Sequence, residues 1–435
     1  MSLLALLHGK TRRRLLHALA LALLAHYLSG VRQVKLHRGR GGTRGSSKVV
    51  QEVHRRLKRI VQQCPSLAAV YWPTFYAYTA LAQFCLLGLK EVRARVLQRS
   101  PYTREVLTLR DRSRIALDWV PPVTFEVEES AAIGPVCVLL HGAFQDSACV
   151  TMTDLARSLA ARGMPVVVMN RRGYGGLKFG ETEAARLTMY GIDEDLDEVL
   201  GAVGRRYPHR PVAIIGFSCG SSFAARFAGN RSHLSAWDAT GNDSRRPRLL
   251  CSVAYDPMYD ISHDGAVLHV RPPFSWVLNW AIKYCYAFRH RHKFRNQSAS
   301  FSNLLGNILS PQHSLKETYR KTRHLSGAID SSAWMDMQQP CMEGINVPSL
   351  LINSRDDPIC VWANVEEYKQ DIVANPNLVL AELQRGSHGC KYGFWGGESI
   401  ADVFIGEFVF ACWCEFRASS SSWSELRAQK VAAKT

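Results

Sequence analysis

Six largely apolar runs, at residues 136–140, 166–169, 212–215, 249–254, 350–352 and 378–383, show no polar alternation. An alternating strand keeps one face wet. A run without alternation is buried on both faces, and strands of that kind assemble into a parallel sheet covered by helices. The stretches between them supply those helices, for example residues 153–162 and 193–206. Ahead of the runs, residues 103–109 and 115–120, joined across Asp111, Arg112 and Ser113, predict an opening antiparallel hairpin. The expected class is therefore α/β, with a mostly parallel sheet. No internal repeat of fixed period is present.

One of these runs leads into Gly216-Phe217-Ser218-Cys219-Gly220, and a segment of small residues beginning Ser221, Ser222, Phe223, Ala224 follows. A strained strand-to-helix turn that exposes a nucleophilic serine needs glycine two residues to either side, where backbone and neighbours crowd the turn. Acyl transfer also needs N–H donors for the oxyanion that develops on the attacked carbonyl. His141-Gly142-Ala143-Phe144 follows the run at 136–140, so the N–H groups of Ala143 and Cys219 are the expected donors. With this kind of turn the acid and then the base follow the serine in the chain. Asn353-Ser354-Arg355-Asp356-Asp357-Pro358 offers Asp357 as the acid, with Asp356 as the alternative. His388, flanked by small residues, is the expected base, since no other histidine follows the acid. All three roles fall after strands, where open parallel sheets place their sites.

With 47% hydrophobic and 21% charged residues in 435, the chain has the make-up of a folded globular protein, neither disordered nor polytopic in a membrane. The net charge of +17 is concentrated at one end: the first 100 residues hold 18 Lys and Arg against Glu52 and Glu91, leaving 36 basic and 35 acidic residues beyond. A body so nearly neutral has no phosphate-tracking surface, and no nucleic-acid partner is expected. The twelve cysteines make no CxxC pair and no metal-ligand spacing, so reduced thiols and neither metal nor cofactor are expected.

No acidic residue precedes Glu52, whereas basic residues recur from Lys10 to Lys48. Within that segment residues 15–31 are apolar apart from His17, His26 and Ser29, about one residue short of the roughly 18 that make a spanning helix. A single N-terminal membrane anchor, an organellar targeting peptide of mitochondrial type and a solvated basic arm are the three readings. Residues 39–47, rich in Gly, Arg and Ser, predict a linker. Residues 67–89 are uncharged and long enough to span, but Pro73, Gln83 and the aromatics from Tyr71 to Tyr78 favour a segment packed on the body.

With these residues in place the chain resembles the α/β-hydrolase superfamily, and within it the YheT-like branch of esterases and lipases, over roughly residues 64–415. Besides the serine turn, the resemblance rests on Cys64-Pro65, Tyr71, Pro73-Thr74-Phe75 and Gln83, on Asn170-Arg171-Arg172-Gly173-Tyr174-Gly175-Gly176, on Tyr207-Pro208 and on Asp356-Asp357-Pro358. It implies hydrolysis of carboxylic esters, acylglycerols or phospholipids, with a membrane anchor in many eukaryotic relatives. Gln145 and Asp146 stand where the family has glycine, and Ser221 and Ser222 where it has glycine and asparagine. Aligned on Gly393-Phe394, the family's base would fall on Lys391.

The expected organisation is a basic N-terminal anchor or targeting segment at 1–60, an α/β-hydrolase domain at 61–416 and a disordered tail at 417–435. Residues 257–341 are expected to form a helical cap, whose Phe274, Trp276, Trp280, Tyr284, Tyr286 and Phe288 either line an acyl pocket or pack the cap onto the core. Residues 289–295 form a basic cluster, and residues 230–249 a polar insertion. The expected function is a membrane-associated serine ester hydrolase acting on lipid acyl esters through Ser218, Asp357 and His388. The alternative is a catalytically weak scaffold that binds a lipid or protein partner.

Overall fold

The computed structural model describes residues 9–39, 47–97, 100–120, 134–180, 186–237, 247–261, 265–292 and 299–432. Most of the expected linker, part of the polar insertion and the second half of the basic cluster lie outside these residues. In chain order the strands are β1 (Arg32–Gln33), β2 (Lys35–His37), β3 (Val70–Tyr71), β4 (Thr103–Thr108), β5 (Arg114–Val120), β6 (Val136–Leu140), β7 (Val166–Asn170), β8 (Val212–Phe217), β9 (Leu249–Tyr255), β10 (Ser349–Ser354) and β11 (Leu378–Leu383). Nine of them form one sheet in the order β2-β11-β10-β9-β8-β6-β7-β5-β4, while β1 and β3 pair separately. The central six are mutually parallel, β5 and β2 run against them, and β4, antiparallel to β5, runs with them.

The unalternating runs are buried on both faces because each face carries its own core. Along β6, Cys137 and Leu139 join one core, with Met152, Leu155 and Leu159 of helix Val150–Ala161 and Phe404, Ile405 and Phe408 of helix Ile400–Ala432. Val136, Val138 and Leu140 join the other, with Leu196 and Val199 of helix Asp193–Arg206 and Phe223 and Phe227 of helix Cys219–Asn230. This is the twofold side-chain period of a strand read on two apolar faces. A third apolar cluster lies above the sheet, where Tyr286, Ile308, Leu315 and Tyr319 of the cap meet Tyr190 and Met258.

Two expectations about the ends of the chain are revised. Part of segment 1–60 belongs to the body: β2 adds antiparallel to β11, His37 bonds Glu382 at 2.5 Å, and helix Lys48–Gln62 buries Leu57, Ile60 and Val61. Charge hid both, because a basic edge strand and a narrow apolar stripe on a basic helix look like a solvated arm. Nearly all of residues 15–31 lie in helix Gly9–Gly30, and among the described residues no helix is long and apolar enough to cross a membrane. At the other end the helix Ile400–Ala432 runs through most of the expected tail, where no glycine or proline after Gly406 stops it. Residues 67–89 are divided among a short 3-10 turn, β3 and the start of helix Ala80–Leu97.

Candidate active site

β6 lies between β7 and β8, so the chain winds outward from it in both directions and the loops after β6 and β8 diverge at their carboxyl ends. Ser218 enters this crevice from the end of β8. Its backbone is held at φ 54° and ψ −124°, a left-handed value that a side-chain-bearing residue seldom adopts. Its N–H donates to Tyr255 O at 2.9 Å. The flanking glycines are steric requirements: a Cβ on Gly216 would lie 2.0 Å from Gly220 O, and one on Gly220 would lie 2.2 Å from Leu140 O.

His388 reaches the same point from the loop after β11. Its Nε2 lies 3.0 Å from Ser218 Oγ, and its Nδ1 lies 2.9 Å from Asp357 Oδ2. Asp357 Oδ1 accepts the N–H groups of Ile359 and Cys360, both at 2.8 Å. Burial works against the Asp357 carboxylate, but His388, Lys391 and the Ile359 N–H outweigh it and hold the acid below its usual range. Burial likewise opposes charge on His388, and there Asp357 and Asp256 prevail and raise its pKa. Phe217 packs beside the imidazole at 5.2 Å between ring centroids.

The neighbours of His388 are pinned by two further carboxylates. Asp356, the alternative acid, accepts the Ser387 N–H at 2.9 Å rather than meeting the imidazole, and burial pushes its pKa up to about 6. Asp256, at the end of β9, accepts the Gly389 N–H at 2.7 Å and the Lys391 ammonium at 2.6 and 2.8 Å. Lys391, where the aligned family motif would put the base, is therefore a buried counter-ion that secures the loop bearing His388. The upstream motif braces the same loop: Tyr71 donates to Tyr392 O at 2.9 Å and Thr74 to Gly393 O at 3.0 Å. The Asp256–Lys391 pair spans 135 residues, and no local pattern announces it.

Ala143 sits in the loop after β6, and Cys219 opens helix Cys219–Asn230, where its N–H has no acceptor within the helix. Both border an apolar cavity of about 200 Å³ that has Ser218 and His388 in its wall. Phe84, Tyr190, Met258, Val267, Phe274 and Ile282 supply apolar lining, and Gln145 contributes an amide. Of the expected cap aromatics, Phe274 lines the cavity and Tyr286 is buried in the cap, while Trp276, Trp280, Tyr284 and Phe288 are exposed. Asp357, Cys360 and His388 present ligand atoms within 4.8 Å of one another, yet His388 commits both nitrogens to Asp357 and Ser218, and the Cys360 thiol donates to Asp256 O.

The Asp256–Lys391 pair generates a prediction. Lys391→Met leaves a carboxylate buried without its counter-ion and should cost about 3–5 kcal/mol in urea denaturation. Adding Asp256→Asn should recover most of that loss. A single variant as stable as wild type would contradict the reading of this pair.

A model of the alpha/beta hydrolase family matches residues 137–395. The chain is 22% identical over 356 residues to monoacylglycerol lipase ABHD2 of Danio rerio, covering 78% of this chain and 75% of that protein. Similar solved structures include a 2,6-dihydroxy-pseudo-oxynicotine hydrolase, with TM-score 0.44 and 13% identity over 86% of this chain and 91% of that one. An esterase of Pyrococcus furiosus matches with TM-score 0.42 and 16% identity over 72% of this chain and 91% of that one. The family match extends over more than half of the sequence, from β6 past the loop that carries His388, and the chain accordingly belongs to the alpha/beta hydrolase family.

Proposed function

We propose that this hydrolase cleaves carboxylic esters of lipid acyl chains by serine catalysis. The observation that carries the reading is the hydrogen-bonded line from Asp357 through His388 to Ser218, which ends in the wall of an apolar cavity. Ser218 Oγ attacks the ester carbonyl while His388 Nε2 takes its proton, and Asp357 stabilises the imidazolium that forms. The N–H groups of Ala143 and Cys219 receive the oxyanion. Collapse of the tetrahedral intermediate breaks the bond to the leaving alcohol, which takes the proton from His388, and the Ser218 ester remains. Water, deprotonated by His388, then releases the fatty acid and restores the serine. The YheT-like motifs and the likeness to a monoacylglycerol lipase support an acylglycerol or related lipid as the substrate.

Membrane contact belongs to the same proposal, at the cavity mouth. Helix Phe274–Ala281 has six apolar residues in eight and buries none of them. Helix Ala80–Leu97 buries only Gln83 and Ala94 and exposes Leu81, Leu89, Val92 and Val96. Both helices line the cavity and meet where Phe84 and Phe274 pack edge to face, 5.6 Å between ring centroids. Exposed tryptophans beside such a mouth suit a headgroup boundary, and the basic first 100 residues suit an anionic one. An acyl chain would pass from bilayer to cavity without crossing water. The proposed localisation is the membrane surface.

Three outcomes test this reading. Wild type should turn over long-chain acylglycerol in micelles, and Ser218→Ala and His388→Ala should each lose activity by at least about a thousandfold; turnover that survives Ser218→Ala would place the nucleophile elsewhere. Because His388 must be neutral to accept a proton and its pKa is raised, kcat/KM should fall with decreasing pH through a value above the usual 6.5 or so. Asp357→Asn should lower kcat by several orders of magnitude and move that limb to lower pH, while Asp356→Asn keeps the limb in place. Finally, Trp276 and Trp280 are 69% and 57% exposed and lie outside the cavity wall. Replacing both by Glu should weaken sedimentation with phosphatidylcholine–phosphatidylserine vesicles about tenfold or more and leave turnover of a short soluble ester unchanged. Equal sedimentation of variant and wild type would remove this face from the proposal.

A further inference from the structure

Two consecutive arginines follow β7, and they are satisfied in opposite ways. Arg172 is buried and conventionally paired: its guanidinium donates to Asp195 at 2.8 and 2.6 Å, to Asp111 at 2.6 Å and to Ser113 Oγ at 2.6 Å. Arg171 is equally buried, yet among the described residues it forms no ion pair. Its guanidinium donates instead to His141 O at 2.8 Å, Gly142 O at 2.5 Å and Ala143 O at 3.3 Å, and its Nε has no partner among the described residues. Its backbone N–H donates to His141 Nε2 at 3.2 Å, and His141 Nδ1 lies 2.8 Å from Gly142 O and 3.1 Å from Arg171 Nη2. Burial, with the Arg171 charge beside it, holds the His141 pKa well below its usual value, so that ring is neutral.

Desolvating a guanidinium without a carboxylate is costly, and a fold that needed only stability at this point would use the solution adopted by Arg172. What Arg171 grips is the loop that follows β6. In a trans peptide the C=O of one residue and the N–H of the next point in opposite directions. Drawing the Gly142 carbonyl toward Arg171 therefore turns the Ala143 N–H away from it, and Gly142, Ala143 and Phe144 all border the cavity. The Arg171 charge also acts on the Cys219 thiol, directly after Ser218, so the cation is close enough to be felt at the residues of both expected oxyanion donors.

We propose that Arg171 is a positioning residue for the oxyanion site: its fork sets the carbonyls of residues 141–143 outward and its uncompensated charge favours negative charge on the other side of that loop. The inference rests on the hydrolase reading. An oxyanion formed at Ser218 supplies the anionic counterpart that the resting protein withholds from this arginine, so the interaction is stronger in the transition state than in the ground state.

The test compares an acyl-chain trifluoromethyl ketone, which Ser218 converts to an anionic tetrahedral adduct, with the matching long-chain alcohol, which stays neutral. Arg171→Met should lower kcat and ketone affinity by a common factor of about a hundred or more, with KM and alcohol affinity unchanged. Arg171→Lys, which keeps the charge without the fork, should recover part of both. Loss of alcohol affinity in step with kcat would overturn the proposal, because a collapsed loop would do the same. Should Arg171→Met be isolated unfolded, Arg171→Lys decides: a shared fall in kcat and ketone affinity supports the proposal, and values matching wild type overturn it. A wild type that forms no ketone adduct overturns the hydrolase reading and this inference together. A wild type that forms one, matched by both variants, overturns this inference alone.

Discussion

The arrangement depends on a line of two hydrogen bonds, Asp357 to His388 and His388 to Ser218, whose members are separated by 31 and 170 residues. Only the parallel register of β8, β9, β10 and β11 delivers their carboxyl ends to one edge, and even then the loop after β11 must reach back across two strands. That reach is secured at both neighbours of His388, by Asp356 on the Ser387 N–H and by Asp256 on the Gly389 N–H. The imidazole is thus fixed by the backbone on either side as well as by its own ring. In a dry interior such bonds gain strength and their loss is correspondingly expensive.

The same region concentrates buried charge of three kinds. The Asp256–Lys391 pair is closed and ties β9 to the histidine loop. Arg172 with Asp195 and Asp111 is also closed, and it ties the residues after β7 to helix Asp193–Arg206 and to the turn of the opening hairpin. Arg171, by contrast, meets no carboxylate among the described residues: its guanidinium is met by three backbone carbonyls, the His141 imidazole and the Tyr174 ring. Closed pairs fix geometry, whereas an open cation biases the potential in the crevice they frame. The cavity extends away from this charged floor as an apolar chamber bounded by the cap and helix Ala80–Leu97, and a long apolar acyl group suits that division.

Much of the sheet could be read from the sequence, because a strand buried on both faces announces itself without any tertiary information. The serine turn was legible for a similar reason: its glycines answer to local crowding by Gly220 O and Leu140 O. The acid was narrowed to neighbours, and only the tertiary structure separates them, with Asp357 on the imidazole and Asp356 on a backbone N–H. Long-range charge was not legible. Neither the partner of Lys391 nor the lack of a carboxylate at Arg171 among the described residues leaves a periodicity, since each depends on contacts tens to more than a hundred residues away. The edge strand Lys35–His37 was missed because three residues with basic neighbours look like a solvated arm, although the body supplies Glu382 for His37.

The central claim, that Ser218 is the nucleophile of a working ester hydrolase, is tested most directly by the site of covalent capture. The folded chain would be exposed to a long-chain fluorophosphonate, digested, and the adduct located by tandem mass spectrometry. The account predicts a single stoichiometric adduct on Ser218, formed at a rate that follows the deprotonation of His388. A folded chain that takes up no phosphonate, or that carries it on another residue, would contradict the account and leave the hydrogen-bonded line as a structural feature of a binding scaffold.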